Sequence, residues 1–112
     1  MITVRQALQS SFKGLENGEF VFFIDENFPA FEGHFPDAPI LPGIVQAEMA
    51  LFCIRRMLGE NVNLFSIKKA KFSKPVMPGT EIFVSVRGEN DSYLATIKNA
   101  KEIFSQISII VK

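Results

Sequence analysis

The sequence predicts an α+β domain in which a curved antiparallel sheet wraps around a central buried helix. Three observations carry this. Residues 44–59 form a segment that is apolar nearly all round, bracketed by Pro42 and Gly59, and such a helix is enclosed by other elements, not laid on a surface. Four later segments, 62–72, 81–87, 93–98 and 103–111, have strand composition and are separated by turn or breaker residues. The 112 residues, 47% of them hydrophobic, suffice for one core and hence a single domain, 1–112.

The elements follow in order. In the opening MITVRQALQSSFKG, Val4, Ala7 and Leu8 share one face of a helical turn or two. This opening lacks the basic start, apolar run and cleavage site of a secretory leader. No stretch approaches the roughly 20 apolar residues of a membrane span, so a cytoplasmic protein is expected. Asn17-Gly18 signals a turn, because both residues tolerate positive φ, and EFVFFID at 19–25 reads as the first strand. Residues 26–43 hold four prolines and two glycines and form a loop, since proline interrupts helix and ladder alike.

Pro42 suits the first position of the following helix and Gly59 its stop. Arg55 and Arg56 fall in its last turns, where the helix dipole favours cations. Beyond the helix, SKPVMPGT separates the strands 62–72 and 81–87. In the latter, Ile82, Val84 and Val86 alternate with Glu81, Phe83, Ser85 and Arg87, the period of a half-buried strand. GEND and NAKE turn the chain into the last two strands. One short N-terminal strand, the helix and an antiparallel meander compose the hot-dog arrangement.

Lysine plus arginine and aspartate plus glutamate number 12 each, which excludes the basic footprint of a nucleic-acid-binding domain. The single cysteine, Cys53, rules out an internal disulfide and a cysteine metal cluster; a buried small hydrophobe is its expected role, and one thiol suits a reducing compartment. Twelve phenylalanines against one tyrosine and no tryptophan require a dense core or an apolar ligand channel. Phe28, Phe31 and Phe35 flank the sole histidine and are candidate channel walls, as is Phe52.

That histidine, His34, lies in the loop before the helix, fourteen residues ahead of Glu48, the only carboxylate inside the helix. A glutamate in an apolar helix is costly unless paired or protonated, and burial favours the protonated form that donates a proton. Arg55 and Arg56, two turns on, are its candidate ion-pair partners. A neutral imidazole is a natural general base. Gly43 offers a backbone N–H at the helix start, where negative charge developing on a thioester carbonyl is stabilised. Base, oxyanion donor and acid together describe proton abstraction α to a thioester with loss of a β-hydroxyl.

The run GHFPDAPILPGIVQAE, residues 33–48, resembles the signature of the 3-hydroxyacyl-acyl-carrier-protein dehydratases. A second segment, KFSKPVMPGTEI at 71–82, matches in the right order, and ENFPAFEGHFP at 26–36 fits the run into the histidine. The resemblance covers roughly residues 20–88 and implies a hot-dog dimer using neither metal nor organic cofactor. In it, His34 of one subunit, as base, meets Glu48 of the other, as acid, with the Gly43 N–H on the thioester carbonyl. The implied substrate is a 3-hydroxyacyl chain on the phosphopantetheine of acyl carrier protein, and the product is the trans-2-enoyl thioester. Four residues after the acid, where the family commonly has Gln, stands Phe52.

The shortened form resembles dehydratase-like proteins of aryl-polyene and other specialised lipid clusters, where small subunits can work as pairs with a related partner; for this chain a homodimer, a heterodimer with a related hot-dog subunit or a higher oligomer is the expectation. Arg55, Lys69, Lys71 and Lys74, within the main concentration of positive charge that also holds Arg56 and Lys68, are candidates for docking an acidic carrier protein. Two alternatives remain open at this point: a hot-dog thioesterase that uses Glu48 to activate water without His34, and a non-catalytic subunit that binds acyl carrier protein or completes a partner's site.

Overall fold

A computed structural model describes residues 2–29 and 40–112. Helix α1 spans Val4–Ser11. Its start is fixed by a reciprocal pair of bonds: the Gln6 N–H donates to Thr3 Oγ1 at 3.1 Å and the Thr3 N–H to Gln6 Oε1 at 2.9 Å. Ala7 and Leu8 are the residues it buries, matching the apolar face expected.

Strands β1, Phe12–Glu16, and β2, Glu19–Ile24, form a hairpin through Asn17 and Gly18, both at positive φ. The first strand is an addition to the sequence reading. Lys13 and Gly14 interrupt its alternation, and a register shift between Phe12 and Gly14 marks the irregularity. Helix α2 runs from Gly43 to Leu58, within one residue of the expected span. Strands β3, Leu64–Phe72, β4, Thr80–Glu89, β5, Ser92–Lys98, and β6, Ile103–Val111, complete the chain. Between β4 and β5 the chain reverses through Asn90 and Asp91, both left-handed. Gly88 permits this, since a Cβ there would lie 2.0 Å from the Ser92 carbonyl oxygen.

All six strands form one sheet in the order β1-β2-β4-β5-β6-β3, every neighbouring pair antiparallel. The meander expected after the helix therefore holds for β4, β5 and β6 only. The strand directly after the helix, β3, crosses to the far side of β6 and becomes an edge. The physical reason is the occupancy of the sheet: β2 takes the side of β4 that faces away from β5, so β3 pairs at the opposite end, on β6.

The concave face supplies Phe22, Ile24, Ile82, Val84, Ala95, Ile97, Ile107 and Ile109, each fully buried, and α2 meets it with Met49, Ala50, Cys53 and Ile54, also fully buried. Each large side chain so enclosed contributes about 1.5–3 kcal/mol. The helix is not enclosed at its ends: Ile44, Met57 and Leu58 are exposed, as are Phe65, Ile67 and Phe72 on β3. Among the described residues no helix is long and apolar enough to cross a membrane.

Candidate active site

The start of α2 is built by the two segments on either side of it in sequence and space. Leu41 donates its N–H to the Val76 carbonyl at 2.8 Å, tying the approach to the helix onto the proline-rich connection between β3 and β4. Ser73 and Lys74 in turn donate their N–H groups to the Phe104 carbonyl, at 2.8 and 3.1 Å. Pro42 caps the helix without a side-chain bond. Its carbonyl accepts from the N–H groups of Val45 and Gln46, at 3.1 and 3.2 Å. The Pro42–Gly43 peptide is trans, so the Gly43 N–H points opposite to that carbonyl, out of the helix N-terminus. Gly43 there borders an open groove of about 530 Å³ whose walls include Ile40, Leu41, Gln46, Phe72 and Lys74. A developing oxyanion in that groove would meet both this N–H, which has no acceptor among the described residues, and the positive end of the helix dipole.

Glu48 lies five residues further along the same helix, about 140° round its axis from Gly43. It opens on a different hollow, a recess of about 30 Å³ between α1 and α2 bordered by Leu8, Gln9, Phe52, Arg55 and Arg56. The sequence suggested a carboxyl enclosed in apolar surroundings; instead Glu48 is half-buried, because its side of the helix borders a recess that Arg5, Gln9, Arg55, Arg56 and Glu60 make polar. Among the described residues the ion pairs are Arg5–Glu60, at the border of this recess, and Lys98–Glu19, at 2.6 Å on the outer sheet face. Glu48 thus forms no ion pair with either arginine of its helix. Arg55 donates its Nε–H to the Val62 carbonyl at 2.9 Å, and the Arg56 guanidinium lies 4.5 Å from the Phe12 ring centroid.

The other predicted residues are dispersed. His34, Phe31 and Phe35 lie outside the described residues. Phe28 and Phe52, read as channel walls, are 4% and 7% exposed and belong to the core, although Phe52 also borders the Glu48 recess. Its ring packs edge-on against Phe12 and Phe22, with centroids 5.5 and 5.6 Å apart. Of the proposed docking residues, Lys74 borders the Gly43 groove and Arg55 the Glu48 recess, while Lys69 stands opposite Ser108 and borders an outer hollow with Lys68 and Arg87. Lys71 pairs in register with Gln106, two residues along the same strand. Cys53 is fully buried as expected, and burial pushes its thiol far above the ordinary range despite the opposing charge of Arg56.

Two residues at the site were not singled out in the sequence. Phe72 lies within the segment that carries the second resemblance, but its contact with Gly43 is made only by the crossing of β3. Gln46 is 3% exposed and bonds to Leu41 and Ser105. Its signal was present: an amide in an otherwise apolar stretch of helix has to find buried partners.

Comparisons with known proteins agree with this architecture. The ApeI-like family model, described as ApeI dehydratase, matches residues 10–107. The FabZ 3-hydroxyacyl-acyl-carrier-protein dehydratase of Ehrlichia chaffeensis is 46% identical over 65 residues, covering 54% of this chain and 46% of the relative. That of the Wolbachia endosymbiont of Brugia malayi is 36% identical over 90 residues, covering 71% and 58%. The chain spans about half the length of the curated relatives it matches. In fold it is similar to a chain of the dehydratase heterocomplex ApeI:P from Xenorhabdus doucetiae, with a TM-score of 0.76 at 22% identity, covering 89% of this chain and 92% of that one. An uncharacterised protein from Erwinia carotovora gives a TM-score of 0.69 at 21% identity, covering 91% and 90%. With the hot-dog fold in place and the family model matching nearly the whole chain, this protein belongs to the ApeI-like dehydratase family.

Proposed function

We propose that the protein dehydrates 3-hydroxyacyl thioesters carried on acyl carrier protein to trans-2-enoyl thioesters, in the synthesis of a fatty acid, polyene or related lipid. His34 takes the α-proton, the Gly43 N–H stabilises the enolate-like oxygen, and Glu48 protonates the departing β-hydroxyl as water. The observation that carries this reading is the Gly43 N–H, without a hydrogen-bond partner among the described residues, at the N-terminus of the central helix and bordering an open groove. The FabZ relatives, named for this reaction, support the choice of substrate class.

Gly43 and Glu48 open on separate hollows of one subunit, which favours a site assembled from two. One subunit supplies His34 and Gly43 to one site and Glu48 to the other. The second subunit is a copy of this chain or a related hot-dog protein, as the similarity to a member of a dehydratase heterocomplex suggests.

The test is to offer 3-hydroxyacyl carrier proteins of several lengths to the purified protein and follow enoyl product and free thiol separately. Enoyl formation without thiol release is expected, and His34→Ala should lower it about 10²–10⁴-fold. Thiol release that persists in His34→Ala would instead indicate a thioesterase.

A further inference from the structure

We propose that Gln46 is a positioning residue that sets the direction of the Gly43 N–H, an inference that rests on the dehydratase reading above. Gln46 holds two successive carbonyls. Its backbone N–H donates to the Pro42 carbonyl at 3.2 Å, and its side-chain Nε2 donates to the Leu41 carbonyl at 3.1 Å. The first of these belongs to the same peptide plane as the Gly43 N–H, and the second to the plane before it. The intervening Pro42 has its φ held by the ring, at −61°. With both carbonyls held, the peptide that presents the Gly43 N–H has little freedom to rotate.

The amide is itself anchored. Gln46 Oε1 accepts from the Ser105 hydroxyl at 2.6 Å, and Ser105 is fully buried on β6. This also settles which way round the amide sits, because the Leu41 carbonyl can only accept. The α2 backbone does not use that carbonyl: the Val45 N–H goes to Pro42 instead. Without the Gln46 side chain the Leu41 carbonyl would lose this donor, and the 41–43 segment would keep the Leu41 N–H bond to Val76 as its tie to the β3–β4 connection.

The test compares wild type, Gln46→Leu, Ser105→Ala and the double variant by kcat and KM for enoyl formation, thermal melting, and hydrogen exchange at the Leu41 and Gly43 amides. Gln46→Leu should lower kcat about ten- to a hundredfold, part of the loss for removing an oxyanion donor outright, with KM within about threefold. Exchange at Leu41 should quicken in the same variant. Ser105→Ala, which keeps the Leu41 bond, should keep kcat within about threefold. The double variant removes the orphaned hydroxyl and should regain melting temperature without regaining kcat. Recovery of kcat in the double variant, or loss of kcat in Ser105→Ala equal to that in Gln46→Leu, would show a role in stability alone and overturn the proposal. If the wild type forms no enoyl product, the dehydratase reading fails by itself and the exchange data decide: quickened exchange in Gln46→Leu upholds the positioning of the peptide, and unchanged exchange overturns it.

Discussion

The ring of Phe72 occupies the space a side chain at position 43 would need: a Cβ added to Gly43 would lie 2.8 Å from Phe72 Cζ and 3.2 Å from both Cε atoms. The second segment that resembles the dehydratases, KFSKPVMPG, thus meets the first through the contact of Phe72 with Gly43. Phe72 is 50% exposed, so its ring can swing away. Gly43→Ala should therefore cost only about 1–2 kcal/mol of stability, measured by urea denaturation. The larger effect should be on enoyl formation, because the displaced ring and the new methyl group both crowd the N–H. Gly43→Ala combined with Phe72→Ala should recover the stability and not the full rate.

Phe52 stands where the dehydratases of the resemblance commonly place Gln, and its surroundings explain the difference. The ring is enclosed by Phe12 and Phe22, and the Arg56 guanidinium lies 5.7 Å from its centroid. Phe52→Ala should cost about 3–5 kcal/mol. Phe52→Gln should also destabilise, by about 2 kcal/mol or more, because it buries an amide in an apolar cluster. Chemical denaturation midpoints check both; a Phe52→Gln variant as stable as wild type would show that the aromatic cluster is not what holds this corner of the fold.

The free edge of β3 carries Phe65, 60% exposed, and Ile67, 39% exposed. A nine-residue edge with this much apolar surface invites a second strand. Pairing of two subunits along β3 is expected to give a dimer in sedimentation at micromolar concentration. Ile67→Lys should weaken that dimer, because it places a charge in the joint. A monomeric wild type that still turns over would contradict the two-subunit site.

Cys53 offers a pH test. Its folded thiol is held above the ordinary range by burial, whereas in the unfolded chain it ionises near pH 8.5, roughly. A raised folded value means stability that is fully present below the unfolded value and declines as pH rises above it. Stability should thus fall on the alkaline side, and Cys53→Ala should flatten that part of the profile. A thiol reagent at pH 8 should leave the folded protein unmodified and react on unfolding.

Much of this architecture was legible in the residues. Helix α2 could be read from its apolar run, with Pro42 and Gly59 marking its ends, and β4, β5 and β6 from alternation between clear turns. Strand β1 could not, because Lys13 and Gly14 break its pattern and its pairing with β2 supplies what propensity does not. The place of β3 beside β6 is a matter of strand order, which local pattern does not encode. At the candidate site, Gly43 stands out as the start of the helix and Glu48 as its only carboxylate. That they open on different hollows depends on what packs against each side, namely α1 and the β3–β4 connection. The bond from the Ser105 hydroxyl to Gln46 Oε1 joins residues 59 apart in sequence, and no periodicity announces such a pair.

Mixing two inactive variants tests the shared site most directly. His34→Ala and Glu48→Gln are each expected to form dimers with little enoyl activity. In a mixed dimer of the two, one site has lost both groups and the other keeps both. Random reassortment of equal amounts should therefore restore about a quarter of wild-type activity. Recovery to that level, absent from either variant alone, is the predicted result. No recovery, with mixed dimers confirmed by mass, would contradict a site built from His34 of one subunit and Glu48 of the other.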